Sequence, residues 1–302
     1  MRVFVTGASG WIGSAVVPEL LAAGHEVSGL ARSDTSAAAL EDRGVAVIRG
    51  DLDDLDSLRR GARKAEAVVH LANKHDWGNP AESVRAERAA VETLTSELEG
   101  SGRRLLLASG VAFRVDGRAP TEDEPNPARG PQAPRGGTES LAMEFVDRGV
   151  HSVALRFAPT VHGPGDHGFI AAIVEVARRT GVAAYPGDGD NRWSAVHRLD
   201  AAGLVALALD ASPAGSAVHA VAEEGVTTRD IAEAVGARLG LPTRSVAPDD
   251  VADHFGWIGG FFAMDLSAGS DPTRARLGWT PTHPTLLEDI AAGAYDGAYD
   301  GA

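Results

Sequence analysis

The sequence predicts an α/β fold, in which a doubly wound parallel sheet is followed by a smaller C-terminal lobe. Three features support this fold: strand and helix patterns alternate through the first half, a glycine-rich turn follows the first strand, and the pattern becomes irregular after about residue 161. Such alternation is typical of a parallel sheet covered by helices on both faces. The predicted strands are Val3–Thr6, Glu26–Leu30, Ala46–Ile48, Ala67–Leu71, Leu105–Ala108 and Ser152–Phe157.

Helical stretches between these strands set the expected domain organisation. We expect residues 1–160 to form the sheet domain, strands near 194–221 to return to it, and residues 161–302 to form most of the second lobe. The late strands are Ser194–His197 and Ala217–Val221, and Thr228–Leu239 is the clearest late helix. The helices predicted in the first half are Ile12–Ala23, Leu55–Arg63, Glu82–Leu98 and Glu139–Arg148.

The composition excludes several classes of function. The 302 residues carry a formal net charge of −14, which argues against nucleic acid or an anionic membrane surface as a partner. The chain has no cysteine, so disulfides, thiolate catalysis and cysteine metal sites are excluded. No apolar run approaches the ~18 residues of a membrane span, and the first strand begins at Arg2, which leaves no room for a signal peptide. We therefore expect a cytoplasmic protein.

The turn after the first strand has the glycine spacing of a dinucleotide-binding Rossmann fold. Gly7, Gly10 and Gly13 lie between a predicted strand and a predicted helix, which is the context that gives this motif its meaning. The first glycine permits the tight turn, the second lets backbone amides approach a pyrophosphate, and the third allows close packing of helix on strand. The anion then lies at the helix N-terminus, where amides without acceptors and the helix dipole favour it.

The end of the second strand predicts which dinucleotide binds. NAD sites place an acid there for the ribose hydroxyls, whereas NADP sites place an arginine nearby for the 2′-phosphate. This strand is followed by Arg32 and Ser33. The acid Asp34 lies slightly beyond the strand-end position that would bind the ribose hydroxyls. Arginine binds phosphate in a bidentate manner, so we predict NADP(H) as the cofactor.

Several motifs in the right order resemble the extended branch of the short-chain dehydrogenase/reductase family, which includes the NAD(P)-dependent epimerases and dehydratases. They are Thr6–Gly13, Gly50–Leu52, His70–Ala72, Leu155–Gly163, Val196–Asp200 and Leu277–Trp279. The resemblance implies cofactor contacts by residues on the glycine turn, the strand ends and the loops that follow them. The implied residues are Gly7, Ser9, Gly10, Trp11, Ile12, Gly13, Arg32, Ser33, Asp51, Leu52, Leu71, Ala72, Asn73, Ser109, Phe157 and Pro159.

The chain departs from this family at the active site. The family's Tyr-x-x-x-Lys pair has no counterpart, because its tyrosine position falls on Pro131 and its lysine position on Arg135. The catalytic Ser/Thr falls on Ser109 or Gly110. The chain thus resembles an atypical subgroup that keeps the nucleotide motif and lacks the usual proton donor.

Histidines after the predicted strands are the natural substitutes for a missing tyrosine near neutral pH. His75 follows the fourth strand and is our first choice as acid or base, and His162 follows the sixth. Ser109 and Arg135 complete the candidate catalytic set. Asp166 and His167 do not supply the three or four converging ligands that a metal site needs, so we predict no metal.

Two assignments in the second half stay open. Arg192 and Trp193 lie in a segment that lines the substrate pocket in the family, although Trp193 is equally compatible with the core. Tyr185 is the one tyrosine that could act in the substrate lobe, whereas Tyr295 and Tyr299 fall in a tail that we expect to fray.

These observations predict an atypical NADP(H)-dependent oxidoreductase that acts on a small carbonyl or alcohol. The alternatives are a lyase, isomerase or cyclase that keeps the nucleotide for structure, and a catalytically silent sensor of the NADP(H) redox state. A small molecule is the expected partner, and a homodimer is one of the assemblies open to the chain.

Overall fold

A computed structural model describes residues 1–74 and 79–297. The strands are β1 Arg2–Thr6, β2 Glu26–Ala31, β3 Ala46–Arg49, β4 Ala67–His70, β5 Arg104–Gly110, β6 His151–Phe157, β7 Thr160–His162, β8 Ala183–Pro186, β9 Arg192–His197, β10 Ala217–Ala220, β11 Glu223–Thr227 and β12 Thr243–Val246. The helices are α1 Gly13–Ala22, α2 Asp34–Glu41, α3 Leu55–Lys64, α4 Pro80–Leu98, α5 Thr138–Glu144, α6 Phe169–Thr180, α7 Arg198–Ala211, α8 Thr228–Leu239, α9 Val251–Phe255, α10 Gly259–Phe262, α11 Asp271–Leu277 and α12 Leu286–Ala292. Short 3-10 turns cover Pro134–Gly137, Pro248–Asp250 and Gly256–Ile258.

The main sheet has seven parallel strands in the order β10-β6-β5-β4-β1-β2-β3. This order confirms the predicted doubly wound α/β fold. The chain moves outward from β1 in one direction to β2 and β3, and in the other direction to β4, β5 and β6. The crevice at the carboxyl ends of β1 and β4 is the topological switch point, where such sheets bind their ligands.

The late strands divide between separate sheets. Strand β10 pairs with β6 and extends the main sheet, as the sequence predicts. Strand β9 lies instead between β7 and β11 in a three-stranded sheet, so the prediction that it returns to the main sheet is wrong. The parallel pair β8–β12 forms a third, two-stranded sheet.

Alternating side chains of the central strands fill the space on both sides of the main sheet. Val3 and Val5 of β1 pack in the cluster that contains α1 and α7, whereas Phe4 packs on the other face with α3 and α4. A third cluster lies in the second half, where Trp193 has no exposed surface and Tyr295 is buried. Trp193 therefore belongs to the core, and the expectation of a frayed tail is wrong at Tyr295, because burial of its ring holds the chain in place.

The helix before β6 begins later than a complete Tyr-x-x-x-Lys helix would. Arg135, Gly136 and Gly137 have φ values of 53°, 63° and 60°, and three successive left-handed residues cannot continue a right-handed helix. Helix α5 starts only at Thr138 and ends at Glu144, short of the predicted Arg148.

Within residues 1–74 and 79–297, no helix combines the length and the apolar character that crossing a bilayer requires.

Candidate functional site

The glycine turn at the end of β1 is too tightly packed for any side chain at two of its positions. A Cβ on Gly7, whose φ is +70°, would lie 2.8 Å from the amide nitrogen of Ala72. A Cβ on Gly13 would lie 2.0 Å from the carbonyl oxygen of Gly7. The turn is therefore pressed against the chain after β4 on one side and against the start of α1 on the other, at the switch point of the sheet.

The N-terminus of α1 presents unused donors at this turn. Ile12 occupies the N-cap position and supplies no capping side chain. Among the described residues, the amides of Trp11 and Ile12 have no hydrogen-bond acceptor. A helix N-terminus of this kind binds anions, so the turn fits the pyrophosphate of a dinucleotide. Ser9 is exposed beside it.

Trp11 ties the glycine turn to the second half of the chain. Its indole N–H donates to the carbonyl oxygen of Val161 at 2.7 Å. The guanidinium carbon of Arg198 lies 4.1 Å from its ring centroid, and the His167 ring packs against it edge-on at 5.7 Å. These contacts fix the Trp11 side chain against Val161, His167 and Arg198.

The ends of β2 and β3 carry the residues that bear on cofactor choice. Arg32 is exposed and makes no hydrogen bond or ion pair within the described part of the chain. Ser33 caps α2, because its hydroxyl accepts from the amide of Ser36. Asp34 pairs at 2.5 Å with Arg49, the last residue of β3, which lies opposite Ala31 of β2 in the sheet register. Asp34 is thus engaged with an arginine.

The segment after β3 forms a turn around Asp51. Its Oδ1 accepts from the amides of Asp53 and Asp54 at 2.9 and 3.0 Å, while Leu52 is buried under the sheet edge. Lys74, in the loop after β4, pairs with Asp53 at 2.6 Å. This ion pair joins the loops after β3 and β4, both of which carry residues that the resemblance implies as cofactor contacts.

A buried hydrogen-bond chain closes the end of β4. The Thr6 hydroxyl accepts from the amide of Ala72 at 3.2 Å and lies 2.8 Å from Nδ1 of His70. The Thr6 hydroxyl thus bridges the Ala72 amide and the His70 ring, whose Nε2 is buried without a hydrogen-bond partner among the described residues. Burial, and then the positive charge of Arg135, lowers the pKa of His70 to about 3. His70 is thus a neutral structural group next to the cofactor crevice.

Asn73, Glu87 and Arg135 form one cluster beside this strand end. Oε1 of Glu87 accepts from Nε and Nη2 of Arg135 at 3.0 and 2.5 Å, and Oε2 accepts from Nδ2 of Asn73 at 3.0 Å. Glu87 is 2% exposed, whereas 38% of the Arg135 side chain is exposed. The structure brings together two residues predicted from sequence, Asn73 and Arg135, through a third that was not predicted.

Ser109, the other predicted catalytic residue, is tied to a second buried carboxylate. Its hydroxyl donates to Oε2 of Glu139 at 2.5 Å, and Asn126 donates to the same oxygen at 3.2 Å. Oε1 of Glu139 accepts from Nε and Nη2 of Arg156 at 3.0 and 2.6 Å. Because the Ser109 hydroxyl donates its hydrogen bond to Glu139, the Ser109 oxygen can meet a further partner only as an acceptor.

His162 has a different setting from the predicted one. It has no exposed surface, and its Nδ1 lies 2.6 Å from Oδ2 of Asp289. A carboxylate only accepts, so Nδ1 carries the proton. Nε2 is buried and has no hydrogen-bond partner in the part of the chain that the structure describes, with Glu223 at 3.7 Å. The imidazole is thus enclosed and held by Asp289, and the catalytic role of His162 stays a prediction.

His197, Asp200 and His283 lie close enough to share a cation, with ligand atoms within 4.8 Å of one another. The Asp200 carboxylate is already occupied, since it accepts from the amides of Thr282 and His283 and from Nδ1 of His283 at 2.9, 3.1 and 2.8 Å. The His197 and His283 rings stack at 4.9 Å. These hydrogen bonds hold the chain near residue 282 against the start of α7.

Other predicted residues surround the same crevice or cannot be placed. Leu71 follows β4 and is half-buried, and Phe157 ends β6, where its carbonyl oxygen accepts from Val111 at 3.1 Å. Pro159 follows two residues later and is half-buried. His75, the first choice for acid or base, lies outside the described residues.

Sequence reasoning missed Glu87, although a signal was present. Glu87 lies three, four and seven residues before Ala90, Val91 and Leu94, all of which are fully buried. A carboxylate on the apolar stripe of a helix needs a partner, since an unpaired buried charge is strongly unfavourable. The apolar stripe therefore indicated that Glu87 forms a buried ion pair. It did not indicate that the partner is Arg135, which lies 48 residues further along the chain.

Comparisons with known proteins agree with this architecture. The model of the NAD dependent epimerase/dehydratase family matches residues 3–221. A Schizosaccharomyces pombe (strain 972) protein whose name assigns no activity is 43% identical over 296 residues, which are 98% of this chain and 100% of the relative. The 3-diazoavenalumate denitrifying reductase of a Streptomyces species is 30% identical over 313 residues, which are 96% of this chain and 99% of the relative.

The crystal structure of UDP-glucose 4-epimerase from Thermus thermophilus in complex with NAD has a similar fold. The TM-score is 0.74 at 24% identity, with 99% of this chain and 100% of that chain covered. The match of the family model to residues 3–221, well over half of the chain, shows that the protein belongs to the NAD-dependent epimerase/dehydratase family.

Proposed function

We propose that this protein is an NADP(H)-dependent oxidoreductase that acts on a small carbonyl compound or alcohol. The observation that carries the proposal is the glycine turn at the switch point, where the amides of Trp11 and Ile12 have no acceptor among the described residues. The family membership and the relative that is named a reductase support an enzyme of this class.

The residues around the crevice fit the dinucleotide. Gly7, Gly10 and Gly13 give the pyrophosphate access to the amides at the start of α1. The turn at Asp51 and Leu52 receives the adenine, and the remaining predicted contacts follow the crevice toward the nicotinamide. They are Ser9, Trp11, Ile12, Leu71, Ala72, Asn73, Ser109, Phe157 and Pro159. Residues 161–302 supply most of the substrate lobe.

The choice of NADP(H) over NAD(H) rests on Arg32. Its guanidinium makes no ion pair within the described residues, while the nearby acid Asp34 is held by Arg49. An arginine without a partner after β2 is available for a 2′-phosphate, and Ser33 lies beside it. Asp34 is directed toward Arg49 through its Oδ1, and no acid occupies the end of β2 itself.

The chemistry is divided between the cofactor and the protein. A bound nicotinamide supplies or accepts a hydride. Arg135 places a permanent positive charge near the end of β4 and stabilises negative charge on a substrate oxygen. Ser109, whose proton is directed to Glu139, accepts a hydrogen bond and orients the substrate. We assign the proton itself to a water molecule or to His75.

Binding and isotope measurements test this proposal. Wild-type protein should bind NADPH more tightly than NADH, and Arg32→Ala should weaken NADPH binding about 10–100-fold, the range for a charged hydrogen bond. Arg59→Ala, which removes an exposed arginine paired with Asp56 on α3, is the matched control and should change nothing. Equal affinity for the two nucleotides would refute the NADP(H) assignment.

The class of reaction needs a second readout. With 4-deuterated NADPH and a panel of carbonyl compounds, a reductase transfers deuterium to the product in equal amount to the NADPH consumed. Product formation with no change in NADPH would instead identify a non-redox catalyst and refute the oxidoreductase proposal.

A further inference from the structure

We infer that Glu87 is a positioning residue, which holds Arg135 and Asn73 at the cofactor crevice in place of the helical turn that the chain lacks. This inference rests on the proposed function. It assigns to Glu87 the task of orienting two side chains that meet the cofactor or the substrate, without contacting either one itself.

The first support is the pattern of contacts. Both oxygens of Glu87 are used, one by the Nε and Nη2 of Arg135 and the other by Asn73. Nη1 of Arg135 has no hydrogen-bond partner within residues 1–74 and 79–297. The buried carboxylate therefore fixes one edge of the guanidinium and leaves the other edge available.

The backbone at Arg135 gives the second support. A non-glycine residue in the left-handed region, with φ of 53°, is unfavourable and persists only when surrounding contacts enforce it. Side chains of α4 supply two of those contacts: Glu87 binds the Arg135 side chain, and Arg88 donates to the carbonyl oxygen of Gly136 at 2.7 Å. The amide of Thr138, at the start of α5, donates to the Arg135 carbonyl oxygen, so α5 holds the backbone of residue 135 while α4 holds its side chain.

The third support is the position of Asn73 and Arg135 relative to the strand end. Asn73 follows β4 by three residues, and the charge of Arg135 contributes to the low pKa of His70, the last residue of β4. Both partners of Glu87 therefore lie beside the carboxyl end of a central strand. A carboxylate that holds both of them links the geometry of the crevice to a rigid helix.

A double-mutant cycle tests the inference on the intact protein. The variants are Glu87→Gln, Arg135→Gln and the double variant, with NADPH as the probe and fluorescence titration as the measurement. Glu87→Gln should weaken NADPH binding at least fivefold, and it should have less than a twofold further effect in the Arg135→Gln background, because residues that act through one another are not additive. Additive losses, or an affinity within twofold of wild type, would overturn the inference.

Controls separate positioning from a loss of stability. Glu97→Gln removes another ion pair of the same helix, with Arg63, and should leave NADPH affinity unchanged. Should Glu87→Gln not fold, Arg135→Lys carries the test: it keeps the charge but loses the two-pronged contact, so NADPH affinity should fall at least threefold while the melting temperature stays within a few degrees. An unchanged affinity in Arg135→Lys would then overturn the inference.

The outcomes also separate this inference from the proposed function. Wild-type protein that binds neither NADPH nor NADH overturns both. Wild-type protein that binds NADPH, with variants that bind it equally well, overturns the role of Glu87 and leaves the proposed function standing.

Discussion

Tyr295 donates a hydrogen bond of 2.9 Å to Oδ2 of Asp166, a residue 129 positions earlier in the chain. The other oxygen of Asp166 accepts from the amide of Gly168 at 2.7 Å. His167, between these two residues, packs against Trp11 of the glycine turn. The end of the chain is therefore connected, through one loop, to the proposed cofactor site. Burial raises the pKa of both Asp166 and Tyr295.

Removal of the Tyr295 hydroxyl should destabilise the fold. Tyr295→Phe leaves a buried carboxylate oxygen without its donor, which costs about 1–3 kcal/mol. Tyr185→Phe is the control, because the Tyr185 hydroxyl makes no hydrogen bond within the described residues and its ring instead meets Arg229. Urea denaturation of both variants measures the difference, and equal free energies of unfolding would contradict the prediction.

Stability should fall in acid through His70. Its pKa is about 3 in the folded protein against an ordinary value of 6.5, so between these values the unfolded chain binds the proton and the folded chain does not. The stabilisation is present above pH 6.5 and is lost as the pH falls toward 3, with a slope of up to about 1.4 kcal/mol per pH unit.

The variant His70→Asn isolates this contribution, because it removes the titrating ring and keeps a side-chain amide that can hydrogen-bond to Thr6. The free energy of unfolding of His70→Asn, measured from pH 7 to pH 4.5, should depend less steeply on pH than that of wild type. Burial also lowers the pKa of His197 and His219, so some pH dependence should remain. Parallel curves would show that His70 is not the titrating group.

The close contact at Gly13 predicts a severe effect of the smallest side chain. Gly13→Ala places a methyl group 2.0 Å from the carbonyl oxygen of Gly7, so the glycine turn must move and NADPH binding should be lost. Gly203→Ala is the matched control: Gly203 lies within α7, and apart from the adjacent backbone of that helix no atom of the described residues lies within 4 Å of an added Cβ. That change should leave binding intact and raise stability by about 0.5–1 kcal/mol. NADPH affinity retained in Gly13→Ala would contradict the packing argument.

The Glu139–Arg156 pair should matter mainly for stability. Both side chains are almost completely buried, and removing one partner leaves the other charge uncompensated, which costs about 3–5 kcal/mol. Glu139→Gln should therefore lower the free energy of unfolding by that amount. The exposed pair of Glu99 with Arg148 offers the comparison, since Glu99→Gln should cost less than about 1 kcal/mol. Similar losses in the two variants would refute the prediction.

Much of the fold could be predicted because its signals are local. Each strand of the first half is a short apolar run, and in every one of them except β3 most residues are buried. Strands β1 to β6 match the predicted positions within a few residues. The spacing of Gly7, Gly10 and Gly13 is equally local, because a tight turn before a helix depends on the backbone of those residues. Strand alternation then limits the topology to a parallel sheet.

The sequence by itself thus determined the sheet and the glycine turn, while the tertiary structure decided which polar groups meet. Arg135 pairs with Glu87 across 48 residues, and His162 is enclosed by Asp289 across 127. Neither contact follows from a local pattern, because burial and ion pairing depend on which distant surfaces pack together. For the same reason a histidine placed correctly after a strand proved to be buried in the core, and a glutamate on an apolar helix face proved to lie beside the proposed site.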